Sequence, residues 1–139
     1  MEMGKTQVDR YEAQTDGIEI VRSANTGYSN IQFSGKIVYE NSSVASEKLT
    51  ALVEKNSYYV LDIDGLHKID STGLGVLVSF AKKVKNSGGD IAFVVQQEFL
   101  RNIFKIAKFD YIFPVATTKE EAWQALDKGY SRQMELDSY

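Results

Sequence analysis

Residues 58–89 read Tyr-Tyr-Val-Leu-Asp-Ile-Asp-Gly-Leu-His-Lys-Ile-Asp-Ser-Thr-Gly-Leu-Gly-Val-Leu-Val-Ser-Phe-Ala-Lys-Lys-Val-Lys-Asn-Ser-Gly-Gly. The run from Tyr58 to Ile63, rich in β-branched and aromatic residues, reads as a buried strand, and Gly73 to Lys85 carries apolar residues at helical spacing. A loop carrying Asp70, Ser71 and Thr72 is expected between them. Where that loop turns into the helix, the hydroxyl of Ser71 or Thr72 can accept the unpaired amides of the first turn. The same place suits a phosphoryl group, because free N–H groups and the positive end of the helix dipole face it. Such a group adds roughly −1.5 to −2 charge at neutral pH, so it changes the surface more than the fold.

Outward from this stretch the chain alternates strands and helices. Ile18 to Ala24 alternates with Ile18, Ile20 and Arg22 on one side, Asn25-Thr26-Gly27 supplies turn chemistry, and Tyr28 to Ile37 completes a β-hairpin. Asn41 is a candidate N-cap for a helix with Val44, Ala45, Leu49, Leu52 and Val53 on one stripe. Ser87-Gly88-Gly89 stops the helix after Gly73, Ile91 to Val95 is a strand, and Glu98 to Phe109 has helical spacing. Tyr111 to Val115, with the only proline at Pro114, suits an edge strand. Thr118-Lys119-Glu120-Glu121 is a capping box opening a last helix that Gly129 ends. Residues 1–17 are polar without a period and read as an extension, 18–128 as one domain, and 129–139 as a polar tail. This order predicts an α/β domain with a mixed, mostly parallel sheet.

Composition narrows the function. With 139 residues, 43% hydrophobic and 25% charged, the chain has the size and balance of one soluble domain. A net charge of −3 argues against direct nucleic-acid binding. There is no cysteine and a single histidine, His67, which leaves no thiolate or multi-histidine metal site and no Cys nucleophile. No apolar run is long enough for a membrane span and the start lacks a signal-peptide core, so a cytoplasmic protein is expected. Nothing in the pattern fixes an oligomeric state.

The run Asp70-Ser71-Thr72-Gly73-Leu74-Gly75-Val76, after a strand and a short loop, resembles the signature of STAS domains, specifically the bacterial anti-sigma-factor antagonists. The resemblance implies a single STAS-like α/β domain with four to five strands, an N-terminal β-hairpin and about four helices largely on one side. It implies Ser71 as the residue phosphorylated by an anti-sigma factor with serine kinase activity, a PP2C-type phosphatase that resets it, no cofactor, and a protein that is a substrate and ligand rather than an enzyme. The implied partner surface takes in Asp70, Thr72, Gly73, Leu74, Gly75 and Val76, with Lys36, Val38 and Glu40 of the neighbouring loop. Leu74 and Val76 are expected exposed beside Ser71, and the two glycines are expected to let another backbone approach.

One departure stands out. Many such antagonists carry Gly-Glu-Leu-Asp or Gly-Glu-Ile-Asp at the end of the second strand, whereas this chain has Gly35-Lys36-Ile37-Val38. That change favours an alternative, a constitutive STAS scaffold or transporter-associated subunit in which Ser71 is only a cap. Val60-Leu61-Asp62-Ile63-Asp64-Gly65 also looks like the first motif of haloacid-dehalogenase-like phosphatases. That motif usually continues into Thr or Val where Leu66 stands, and no clear acidic pair follows to hold a metal.

Overall fold

The computed structural model describes residues 11–15 and 17–127. One sheet of six strands runs in chain order: β1 (Tyr11–Thr15), β2 (Ile18–Asn25), β3 (Tyr28–Ile37), β4 (Tyr58–Ile69), β5 (Asp90–Val94) and β6 (Val115–Ala116). The first two pairings are antiparallel and the last three parallel. Each parallel step crosses over through a helix: α1 (Ser42–Thr50), α2 (Ser71–Asn86) and α3 (Glu98–Ile106) in turn. A last helix, α4 (Lys119–Asp127), follows β6.

The alternation of side chains along the strands divides the interior in two. Ile20, Phe33, Tyr59, Leu61, Ile63, Ile91 and Phe93 point to one face and pack with Leu49 of α1, Leu77, Phe80 and Val84 of α2, and Leu100 and Phe104 of α3. On the other face Val60, Ala92 and Val94 meet Ala122 and Leu126 of α4. Because both faces are covered there, β4 and β5 read as continuous apolar runs rather than alternating ones. Three helices thus share one side, and α4 covers the other. Arg22 lies on the buried side with Ile18 and Ile20, where its guanidinium donates to Ser29 Oγ at 3.0 and 3.2 Å. The Thr118 cap forms as read, with the Glu121 amide donating to Thr118 Oγ1 at 3.1 Å.

Four local expectations are corrected. Tyr11–Thr15, read as part of a patternless extension, pairs with β2 from Tyr11 opposite Arg22 to Thr15 opposite Ile18, adding one edge strand to the mixed sheet of five that the element order implies. β4 does not stop at Ile63 but runs to Ile69, staying paired with β3 through two register shifts. These irregularities bend the strand without ending it, and in sequence they resemble a loop. Tyr111 to Val115 is not a strand: a 3-10 turn occupies Phe109–Tyr111, and only Val115–Ala116 pairs with β5. Asn41 precedes α1, but its side chain turns back, accepting from the Val38 amide at 2.9 Å and donating to the Lys36 carbonyl at 2.8 Å. Gly129 and the tail lie outside the described residues, as do residues 1–10.

The ends of α2 and α3 differ in a way that makes a prediction. Behind α2, the Gly88 amide donates to the Lys85 carbonyl at 3.0 Å and the Gly89 amide to the Val84 carbonyl at 3.1 Å, with Gly88 at φ +90°. At the matching place behind α3 stands Lys108 at φ +58°, a left-handed conformation that costs a residue with a Cβ about 1 kcal/mol. Lys108→Gly is therefore expected to stabilise the domain by about 0.5 kcal/mol, the relief being partly offset by the freer unfolded chain. Thermal unfolding checks it: the midpoint rises by one or two degrees, and a fall would show that the Lys108 side chain makes a compensating contact.

Candidate functional site

β3 and β4 finish side by side, Ile37 opposite Ile69. From this common end β3 passes into a 3-10 turn at Tyr39–Asn41 and β4 passes through Asp70 into α2. The last rung is the Asp70 amide donating to the Ile37 carbonyl at 3.4 Å. α2 then starts directly against the end of β3, and Gly73 makes that possible. A Cβ there would lie 2.1 Å from Ile37 O and 2.9 Å from Ile69 Cγ1.

Asp70, not Ser71 or Thr72, is the N-cap. Its Oδ1 accepts from the Gly73 amide at 2.8 Å, closing the first turn of α2. Its Oδ2 accepts from the Tyr39 amide at 3.0 Å, across to the turn that follows β3. These two amides, Gly73 foremost, hold the Asp70 carboxyl below its ordinary pKa, so it is a charged acceptor at neutral pH. Ser71 is consequently the first residue of α2, exposed, its hydroxyl not required for the cap.

Around Ser71 the structure brings together Tyr39, Glu40, Thr72 and Gly75, all exposed, with Asp70 partly exposed, whereas the partly exposed Lys36 extends its side chain along Gly17. Beside them runs a shallow open groove in which Ser43, Ser46 and Glu47 of α1 face Thr72, Gly75 and Ser79 of α2. Other residues expected at the surface are not there. Val76 and Val38 are buried, Gly73 is buried against Ile37, and Leu74 is half-buried against the core. Of the two glycines only Gly73 admits another backbone; nothing lies within 4 Å of a Cβ added at Gly75. The apolar residues of α2 exceed one stripe because the helix is packed more deeply than a surface helix.

Sequence reasoning missed Tyr39, which is 72% exposed on the turn whose amide Asp70 holds. A single aromatic among Glu40, Asn41 and Ser42 carries no periodic signal. The Asp62 and Asp64 pair is not a free acidic site. Asp62 Oδ1 accepts from the Asp64 amide at 3.1 Å, and Asp64 Oδ1 accepts from the amides of Gln96 and Gln97 at 2.7 and 3.0 Å, fixing the approach to α3. Among the described residues no group of three or more His, Asp or Glu is placed to hold a metal ion. None of the described helices is long and apolar enough to cross a membrane.

The sequence profile of the STAS domain matches residues 19–122, from β2 into α4. The chain belongs to the STAS domain family. This STAS domain is 31% identical over 99 residues to the anti-sigma factor antagonist BtrV of Bordetella bronchiseptica, covering 70% of this chain and 85% of that one. It is 30% identical over 90 residues to the anti-sigma-B factor antagonist of Bacillus subtilis, covering 65% and 83%. The crystal structure of an anti-sigma factor antagonist from Mycobacterium paratuberculosis superposes with a TM-score of 0.72 over 83% of this chain and 98% of that one, at 22% identity, which shows a shared fold. By sequence and fold, this STAS domain falls among the anti-sigma factor antagonists.

Proposed function

We propose that this protein is a partner-switching antagonist controlled at Ser71. Unphosphorylated, it binds an anti-sigma factor through the rim formed by Ser71, Thr72, Gly75 and the turn at Tyr39–Asn41, and so frees a sigma factor. The anti-sigma factor, acting as a serine kinase, transfers the γ-phosphoryl group of ATP to Ser71 Oγ, leaving ADP and releasing the hydroxyl proton. A PP2C-type phosphatase hydrolyses the phosphoester and restores the hydroxyl. The protein is the substrate and the ligand, not the enzyme, and it acts in the cytoplasm without a cofactor.

The observation that carries this reading is that Asp70 makes the cap, which leaves the exposed Ser71 hydroxyl outside it. A purely structural serine at this helix start would be expected to make the cap itself. A phosphoryl group on Ser71 sits at the helix N-terminus, where the fold tolerates it, yet adds roughly −1.5 to −2 charge next to Asp70 and Glu40. A partner surface complementary to the neutral rim is then opposed by uncompensated charge.

A second reading, a constitutive scaffold, draws on the run Gly35-Lys36-Ile37-Val38. Val38 is buried, and Lys36 lies along Gly17, its Cε 2.9 Å from a Cβ added there, so the acidic pair common in these antagonists has no counterpart at these two positions. One experiment separates the two. Wild type, Ser71→Ala and Ser71→Asp are used as bait in lysate of the native cell, and retained proteins are identified by mass spectrometry. The switch requires that wild type and Ser71→Ala retain a kinase-type anti-sigma factor and that Ser71→Asp loses it by at least about 100-fold, the scale of a like charge buried in an interface. Equal retention by all three assigns the scaffold instead.

A further inference from the structure

The carboxylate of Asp70 joins two elements that the chain separates by 31 positions, and each oxygen has its own task. Oδ1 closes α2 through Gly73, and Oδ2 holds the Tyr39 amide. The turn it reaches is tied internally by the two Asn41 side-chain bonds and by Ser42 Oγ donating to the Tyr39 carbonyl at 2.9 Å. Those bonds fix the shape of the turn but not its position against α2. Asp70 supplies that position. The result is a tyrosine with its backbone held at both its N–H and its C=O, and its ring in solvent.

An exposed tyrosine on a fixed backbone has few degrees of freedom to lose on binding, and tyrosines are enriched among the residues that carry interface energy. We infer that Tyr39 is the anchoring side chain of the partner surface and that Asp70 is a positioning residue, holding Tyr39 in register with Ser71 through the Tyr39 amide. This rests on the reading that the partner docks around Ser71. The partner that fits is a protein with an apolar pocket for the ring and a basic rim facing Glu40. Contact with both Tyr39 and Ser71 at once lets the added phosphoryl charge act on a ring-anchored complex.

Asparagine at position 70 separates the two tasks. It keeps one oxygen for the Gly73 amide and is as good an N-cap as aspartate, but it turns an NH2 toward the Tyr39 N–H, donor against donor. Amide hydrogen exchange of the full chain is the first measurement. In Asp70→Asn, Tyr39 is expected to exchange about tenfold faster while Gly73 is unchanged, the size of one lost hydrogen bond. Unchanged exchange at Tyr39 overturns the positioning role.

The second measurement is affinity for the purified anti-sigma factor that wild type retains. Tyr39→Ala is expected to weaken binding about 30-fold and Asp70→Asn about tenfold, with the double variant close to Tyr39→Ala alone, because the second change acts through the first residue. Additive losses, or a Tyr39→Ala affinity within twofold of wild type, overturn the inference. Asp70→Ser, which caps without a second acceptor, repeats the cycle if Asp70→Asn folds poorly. Ser71→Asp in the same assay tests the switch itself: its failure there, with Tyr39 and Asp70 still coupled, removes the phosphorylation control and not the anchor.

Discussion

Gly73→Ala lowers the stability of the domain by about 3 kcal/mol, at the upper end of what one added methyl group costs, and weakens partner capture with it. The added Cβ would lie 2.1 Å from the Ile37 carbonyl oxygen, 2.9 Å from the carbonyl carbon and 2.9 Å from Ile69 Cγ1. Two of those three atoms are backbone at the end of a paired strand, so no side-chain rotation relieves the overlap. Either α2 backs away from β3 or the end of β3 yields, and both loosen the Asp70 bonds to Ile37 and Tyr39. Gly75→Ala is the control two residues along the same helix. With nothing within 4 Å of its added Cβ, it gains helix propensity and is expected to stabilise by about 0.5–1 kcal/mol. Urea unfolding of the three proteins decides the matter. If Gly73→Ala unfolds within about 1 kcal/mol of wild type, the close packing of α2 on β3 is wrong.

Phe93→Ala costs about 4 kcal/mol, within the range for a buried phenylalanine and a large part of the total stability of a domain this size. The Phe93 ring is fully buried and meets Phe104 at 5.5 Å, Phe109 at 5.1 Å and Phe113 at 5.8 Å between ring centres, the first two edge to face. One residue of β5 therefore secures α3 and the 3-10 turn that leads to β6. Removing the ring leaves a cavity bordered by three other rings held on different elements, which cannot all collapse into it. Phe93→Leu refills much of that volume and is expected to cost about 1.5 kcal/mol. Urea unfolding followed by far-UV circular dichroism reads both. A loss below about 2 kcal/mol for the alanine variant would mean that α3 and the turn repack freely.

Local features were legible in the sequence because their signals are local. Tyr59, Leu61 and Ile63, and Leu77, Phe80 and Val84, declare a strand and a helix by their own spacing, and both sets lie in one core. The Asp-Ser-Thr-Gly run marked the helix start where Ser71 is exposed. What it could not say was which of three consecutive polar residues makes the cap. That depends on backbone geometry at Asp70, which is extended at φ −111° and ψ −174° and so aims its carboxylate back at the amides.

The sequence by itself therefore determined the alternation of strands and helices, the apolar faces that make the core, and the place of the Asp-Ser-Thr-Gly run at a helix start, since each is set by residues within a few places of one another. Only the tertiary structure decided that Tyr11–Thr15 is a strand, since edge pairing is made by backbone groups that every residue carries. It also decided that β4 persists to Ile69 through its register shifts, that Val76 and Val38 face inward, and that Asp70 reaches Tyr39. Each of these depends on which distant segment the fold brings alongside, and a side chain's role there is fixed by its neighbour in space rather than by its neighbours in the chain.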